Sequence, residues 1–394
     1  MTFRTVRYYI FLRDVLILAV TAFGGPQGHL AMFLDMMVKK RGYLSEEELL
    51  ELFALCQILP GPTSTQTITS IGFRIGGPGL AYLTLLFWML PAVAIMTSAA
   101  LLMVSFNELN ISLEFLRFIQ PMAIGIVAYS AWRISSKVVK TGTGYFLMIL
   151  AAVGAFLVTS PIFFPVFLLI GGLVTSLNYK RHPREEKEGI KIKWANFVLW
   201  AGVLVVAAIA GGIMNSRELL IFENFYRNGS LIFGGGQVLV PLLYTEFVHV
   251  KDFLSSEEFI SGYGFVQAIP GPTFSFSAYV GGLGMRDAGI TAQILGAVVA
   301  SLGIFLPGTF LIFFVIRFWD QVKKYRVVRA SMEGIHAVSS GLVIAAVFLL
   351  FRPMMDGPLI NYALMIGTAL SLHFTKIPAP LIILSGLIFG IVIA

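Results

Sequence analysis

Two copies of one phrase, Pro60-Gly61-Pro62-Thr63 and Pro270-Gly271-Pro272-Thr273, lie inside apolar stretches and restrict the fold more than any other feature. A Pro-Gly-Pro core cannot continue a helix, because each proline lacks an amide donor and clashes with the preceding turn. In water that makes an ordinary turn. In a bilayer the freed backbone groups find no water, so such a break survives only where it is buried in protein or lines a wet cavity. Composition decides which solvent applies. The 394 residues are 57% hydrophobic and 12% charged, against about a quarter charged in soluble domains. Runs such as 80–106, 145–179 and 197–214 are long enough to span a bilayer, which takes about 20 residues. The chain reads as an all-α polytopic membrane protein in a lipid bilayer, with the two breaks as its candidate working site. In such a protein the net charge of +7 reports cytoplasmic loops rather than a nucleic-acid partner. The single cysteine, Cys56, excludes an intrachain disulfide and a thiolate metal cluster. The first apolar stretch runs on through Gly24-Gly25-Pro26 without a small-residue cleavage site, so no cleavable signal peptide is read.

The chain also repeats itself. Without gaps, residues 23–75 and 233–285 are identical at 15 of 53 positions. The matches include Gly24/Gly234, Gly25/Gly235, Gln27/Gln237, Ser45/Ser255, Gln57/Gln267 and Gly72/Gly282, and Leu90-Pro91 recurs as Leu306-Pro307 after a six-residue insertion. The expected domains are a membrane repeat over 1–179, a basic linker with a connecting span over 180–214, and a second membrane repeat over 215–394. Within the first repeat, a span at roughly 14–38 is interrupted by Gly24-Gly25-Pro26. The Ser45-Glu46-Glu47-Glu48 turn is a capping box that opens the helix leading into the first break.

Each broken segment, 44–75 and 254–285, admits a re-entrant hairpin or one discontinuous crossing. Hairpins would put the basic residues of 317–329 on the opposite side from the 180–193 linker. Crossings give about thirteen transmembrane segments with a cytoplasmic N-terminus in the cell membrane, and place 20 of the 28 Lys and Arg residues inside. The positive-inside rule favours crossings; the exception is Lys39-Lys40-Arg41, which then falls outside. Seven spans separate equivalent points, so the halves are inverted. Inverted repeats with paired discontinuous helices are the architecture of secondary transporters, with the substrate near the midplane.

The residues at the breaks suit an anion. Pro62 or Pro272 takes the first position of a half-helix, where a missing amide costs nothing. The unpaired first-turn amides then carry partial positive charge. Gly61, Thr63, Ser64 and Thr65 in one copy, and Gly271, Thr273 and Ser275 in the other, form the expected substrate site, with Gln57 and Gln267 three residues before the breaks. Gly24, Gly25 and Gln27, with Gly234, Gly235 and Gln237, are read as unwound backbone beside it; tight helix packing by small residues is the structural alternative. His29, Glu246 and Asp35 are candidates for proton or charge coupling, against structural roles as a packed histidine and solvated helix ends. No Walker motif, zinc signature or nucleophile elbow occurs. Neither an enzyme nor a metal or other cofactor is therefore expected.

The phrases Phe23-Gly24-Gly25-Pro26-Gln27-Gly28-His29, Leu59-Pro60-Gly61-Pro62-Thr63-Ser64-Thr65-Gln66, Phe233-Gly234-Gly235-Gly236-Gln237 and Ile269-Pro270-Gly271-Pro272-Thr273-Phe274 resemble the signatures of the chromate ion transporter family in its two-domain form. The resemblance covers both halves. It implies inversely oriented halves that export chromate from the cytoplasm, with proton coupling and kinship to sulfate movement. The chain departs from the family pattern at Leu34-Asp35-Met36, where an Arg-rich stretch is usual, and at Tyr43 and Phe253, where tryptophan is usual. It departs again at Ser275, where asparagine is common. The expected function is secondary active transport of a tetrahedral oxyanion, chromate, by alternating access; the alternatives are sulfate transport or a passive anion channel. A homodimer is an assembly open to it.

Overall fold

The computed structural model describes residues 3–109, 112–158, 163–181, 192–214, 216–233, 236–319, 325–375 and 377–393. Among them every regular element is helical: α1 (Phe3–Thr21), α2 (Gly25–Phe33), α3 (Glu46–Ile58), α4 (Thr63–Glu108), α5 (Ile119–Val138), α6 (Gly142–Leu157), α7 (Phe163–Ser176), α8 (Ala195–Met214), α9 (Arg217–Leu231), α10 (Gly236–Tyr244), α11 (Ser256–Ala268), α12 (Phe276–Leu283), α13 (Ile290–Val315), α14 (Arg326–Phe351), α15 (Leu359–Phe374) and α16 (Ala379–Ile393). The chain forms two compact units that each draw on both sequence repeats. Unit 1 comprises Met1–Ser112, Trp194–Ser230 and Phe265–Ile316, and unit 2 comprises Leu113–Lys193, Leu231–Gly264 and Arg317–Ala394. Both Pro-Gly-Pro breaks belong to unit 1.

Within unit 1 the N-terminal segments double back, which corrects the expected crossings at 14–38 and 44–75. Gly24 (φ +88°) and Gly25 (φ +64°) take left-handed backbone between α1 and α2, a conformation that glycine adopts without steric cost. The chain reverses there. Arg41 Nε then reaches the Asp14 carboxylate at 2.8 Å, and Tyr43 packs edge-on to Phe11. At about 1.5 Å per residue a continuous helix would hold Asp14 and Arg41 about 40 Å apart. Lys39-Lys40-Arg41 stands as an exception to the positive-inside rule only if 14–38 is a crossing, and the chain reverses there instead.

The same test applies to the first break. The Ser45–Glu48 capping box forms, with Glu48 N donating to Ser45 Oγ and Ser45 N to Glu48 Oε2. From it α3 runs to Ile58, the chain turns at Pro60-Gly61-Pro62, and α4 returns until Arg74 meets Glu48 at 3.0 Å. At Gly76 and Gly77 the backbone leaves helical values, Gly77 with φ +73°. The chain reverses again, so Trp88 Nε1 donates to Thr65 Oγ1 at 3.1 Å. A Cβ on Gly72 would meet Ala81 and Thr84. α4 is thus two antiparallel arms, 63–75 and 78–108. Residues 60–72 are buried without interruption, as are 274–285 in the second copy.

Around these inner helices, unit 1 closes with α8, α9 and α13. α8 carries outward apolar side chains, Val206 at 66% and Ile213 at 74% exposed, the surface that a helix presents to lipid. α13 and the second arm of α4 are long and apolar enough to cross a membrane, as is α8; in unit 2, α14 is as well.

In unit 2, α14 packs against α5, α6, α7 and α10. Small residues allow the close approach: Gly334 stands against the Gly171 carbonyl and donates its amide to Thr175 Oγ1 at 3.1 Å. Here the second capping box forms between Ser255 and Glu258. α10 ends in a π-helical turn, Thr245–Val250, as α2 does over Leu34–Lys40, so the duplication is visible in matching local irregularities.

Candidate substrate site at the two helix breaks

Each break packs against the other repeat's proline helix. At the first, Gly61 (φ +116°) lies so close to Gly308 that an added Cβ would stand 3.0 Å from the Gly308 Cα. Gln66 fastens the contact: its Nε2 donates to the Pro60 carbonyl at 2.8 Å and to the Gly308 carbonyl at 3.0 Å. One amide group thereby satisfies a carbonyl freed by the break and ties the break to α13. At the second, Gly271 (φ +98°) donates its amide to the Ala22 carbonyl at 2.8 Å. A Cβ there would stand 3.0 Å from that of Ala92. In the repeat alignment Ala92 and Gly308 are equivalent, each following Pro91 or Pro307. The two halves therefore exchange their breaks.

One turn of α4 joins the two ends. Trp88 holds Thr65, in the first turn after the first break, while Ala92 touches Gly271 of the second. Four helical residues rise only about 6 Å, so both breaks converge on that turn. His29, 1% exposed, sets its ring edge-on to Trp88 at 5.3 Å between centroids. It lies in the short helix that begins just after Ala22, the acceptor for Gly271.

Thr63, Ser64, Thr65 and Ser275 are buried; Thr273, Gln57 and Gln267 are half-buried. Pro62 caps the first arm of α4 without a side-chain hydrogen bond. The first intrahelical bond is Gln66 N to Pro62 O at 2.9 Å, which leaves the Thr63, Ser64 and Thr65 amides without helical acceptors. After the second break, Ser275 N bonds Pro272 O, and the Thr273–Ser275 turn lies against α4 and α13.

The two copies differ in their hydroxyls. Thr67, Thr69 and Ser70 all donate back to carbonyls of their own helix. In the second copy, where the helix begins with a 3₁₀ turn, the buried Ser275 and Ser277 hydroxyls have no partner among the described residues, nor has Gln267 Nε2. A buried polar group without a partner costs about 1–3 kcal/mol, so these donors are kept at a price that a polar ligand would offset.

Asp35 is exposed and paired with Lys40 at 2.7 Å on the π-helical turn after α2, a solvated surface pair. Glu246 is buried in unit 2. Gly24 and Gly25 form the reversal between α1 and α2. Gly234 and Gly235, and the side chains of Gln27 and Gln237, lie outside the described residues. Sequence reasoning missed Trp88 and Ser277, and treated Gln66 only as part of a phrase. Trp88 gave one signal: it stands three residues before Pro91, whereas the equivalent position before Pro307 is Ile304.

The sequence is similar to known proteins over both repeats. The family described as chromate transporter matches residues 10–177 and again 219–391. The chain is 25% identical over 383 residues to the chromate transport protein of Cupriavidus metallidurans, covering 95% of this chain and 90% of that protein. It is 25% identical over 377 residues to a probable chromate transport protein of Synechococcus elongatus, covering 95% and 93%. It is also 25% identical over 331 residues to a chromate transport protein of Pseudomonas aeruginosa, covering 82% and 76%. No solved structure matches it. The double match spans most of the chain and takes in both breaks, and the chain belongs to the chromate transporter family.

Proposed function

We propose that this protein is a secondary active transporter of a small tetrahedral oxyanion, chromate, which it moves out of the cytoplasm by alternating access of two inverted repeats, 1–179 and 215–394, joined through 180–214. The cell membrane is its place, with the N-terminus cytoplasmic. The observation that carries the reading is the convergence of two helix starts on one turn of α4. Helix N-termini are anion sites, because their unpaired amides and the helix dipole favour negative charge. Thr63, Ser64, Thr65, Thr273 and Ser275 add hydroxyls to those amides, and Gln57 and Gln267 stand at the approaches. The donors at the breaks are neutral. A dianion held by neutral donors is bound without a fixed ion pair, which keeps release fast enough for turnover. His29 is the titratable group beside the breaks, and we assign it the proton-linked role.

Chromate and sulfate are both tetrahedral dianions, so the test measures both. Labelled chromate and sulfate uptake is followed in inverted vesicles for wild type and for Thr63→Val with Thr273→Val. The expected outcome is concentrative, ionophore-sensitive chromate uptake that falls at least about tenfold in the double variant, the equivalent of one charge-assisted hydrogen bond. Normal transport by the double variant would refute the site. Flux that never exceeds equilibration would make the protein a passive channel.

A further inference from the structure

The Asp14 carboxylate, on α1, is fully buried, and a buried charge must be paired. Arg41 grips it with two nitrogens, Nε to Oδ2 at 2.8 Å and Nη2 to Oδ1 at 2.9 Å. Tyr43 donates its hydroxyl to Oδ2 at 3.0 Å. Burial, and then the bond to Asp14, pushes the Tyr43 phenol up to about 12, so it stays a donor. Beside this clamp opens a cavity of about 230 Å³ lined by Val6, Arg7, Ile10, Arg41 and Tyr43. It has room for a headgroup, since one water in the liquid occupies about 30 Å³.

Charge and exposure indicate the occupant. Arg13 also approaches Asp14, at 3.7 Å, so two arginines face one carboxylate and, with Arg7 lining the cavity, the site is positive. Arg7 makes no ion pair among the described residues. Two cavity walls, Val6 and Ile10, are apolar. The outward face of α1 continues apolar through Tyr9, Leu16, Ile17 and Val20, all exposed; tyrosine is a residue enriched at membrane interfaces. The clamp is absent from the second repeat, where the equivalent positions are Asn224, Lys251 and Phe253, so the repeated fold does not require it.

We propose that this cavity holds a tetrahedral phosphate, the headgroup of an anionic phospholipid, between Arg7 and the Asp14-oriented Arg41, with the acyl chains along α1. Basic pockets between membrane helices bind such headgroups. The site is separate from the helix breaks and does not depend on their function.

The full-length protein, purified in detergent, is offered phosphatidylglycerol, phosphatidylcholine or inorganic phosphate, and bound ligand is measured by native mass spectrometry. Wild type is expected to retain phosphatidylglycerol over phosphatidylcholine. Arg7→Gln is expected to lower that retention about fivefold, the worth of one interfacial arginine. Arg7→Lys is expected to restore it and so to separate charge loss from misfolding. Equal retention by wild type and Arg7→Gln, or equal retention of the two lipids, would overturn the proposal. Binding of inorganic phosphate without retention of either lipid would overturn the assignment to a lipid.

Discussion

Gln66 shows how one side chain can hold two distant parts of a membrane protein together. Both of its hydrogen bonds run from a single nitrogen, one to the Pro60 carbonyl freed by the break and one to the Gly308 carbonyl of α13. In a medium without water, losing them leaves the Pro60 carbonyl unsatisfied and unties the break from α13. Gln66→Leu is expected to destabilise the protein by about 2–3 kcal/mol, read as a lower thermal midpoint in detergent, whereas Gln57→Leu, half-buried and outside this bridge, should change it little. The equivalent of Gln66 in the second copy is Phe276, buried and stacked near Tyr279. The first break is fastened by an amide that the second copy lacks, and the unpartnered hydroxyls fall in the second. None of this asymmetry is visible in the shared Pro-Gly-Pro-Thr phrase.

At the scale of elements, the first broken segment is a hairpin. The Arg74–Glu48 pair marks its closure but contributes little, since both side chains are partly exposed and such pairs contribute about 0–1 kcal/mol. What holds the returning arm is burial of residues 60–72 on all sides, with its hydroxyls bonded internally. With Cys56→Ser as background, cysteines placed at positions 48 and 74 are expected to be bridged by a short bifunctional thiosulfonate, detected as an intact-mass increase. A discontinuous crossing, which separates those positions by the length of both arms, predicts no bridge. The choice between these shapes was not legible from charge. The loops that decide the count are short and weakly basic, and nothing local to Lys39-Lys40-Arg41 reveals the buried Asp14 that draws Arg41 back to α1.

For the whole molecule, the reversal at Gly24-Gly25 returns Lys39-Lys40-Arg41 to the end where α1 begins. An N-terminal tag and a maleimide on Lys39→Cys, again without Cys56, are expected to be reached from the same side in oriented vesicles; a single crossing from 14 to 38 predicts opposite sides. The compact units likewise cut across the repeats, since unit 1 gathers both breaks from opposite halves of the chain.

What the sequence determined by itself is whatever depends on local composition and period. The apolar runs set the solvent, the fifteen identities at a fixed offset exposed the duplication, the Ser45 and Ser255 turns marked helix starts, and the prolines located the breaks. Tertiary structure alone decided where the broken segments go and what they meet. A hairpin and a crossing share the same local sequence and differ only in long-range contacts, such as Asp14 with Arg41 across 27 positions and Gln66 with Gly308 across 242. Those contacts depend on which buried polar groups find partners once lipid has excluded water. Periodicity within a helix carries no record of that.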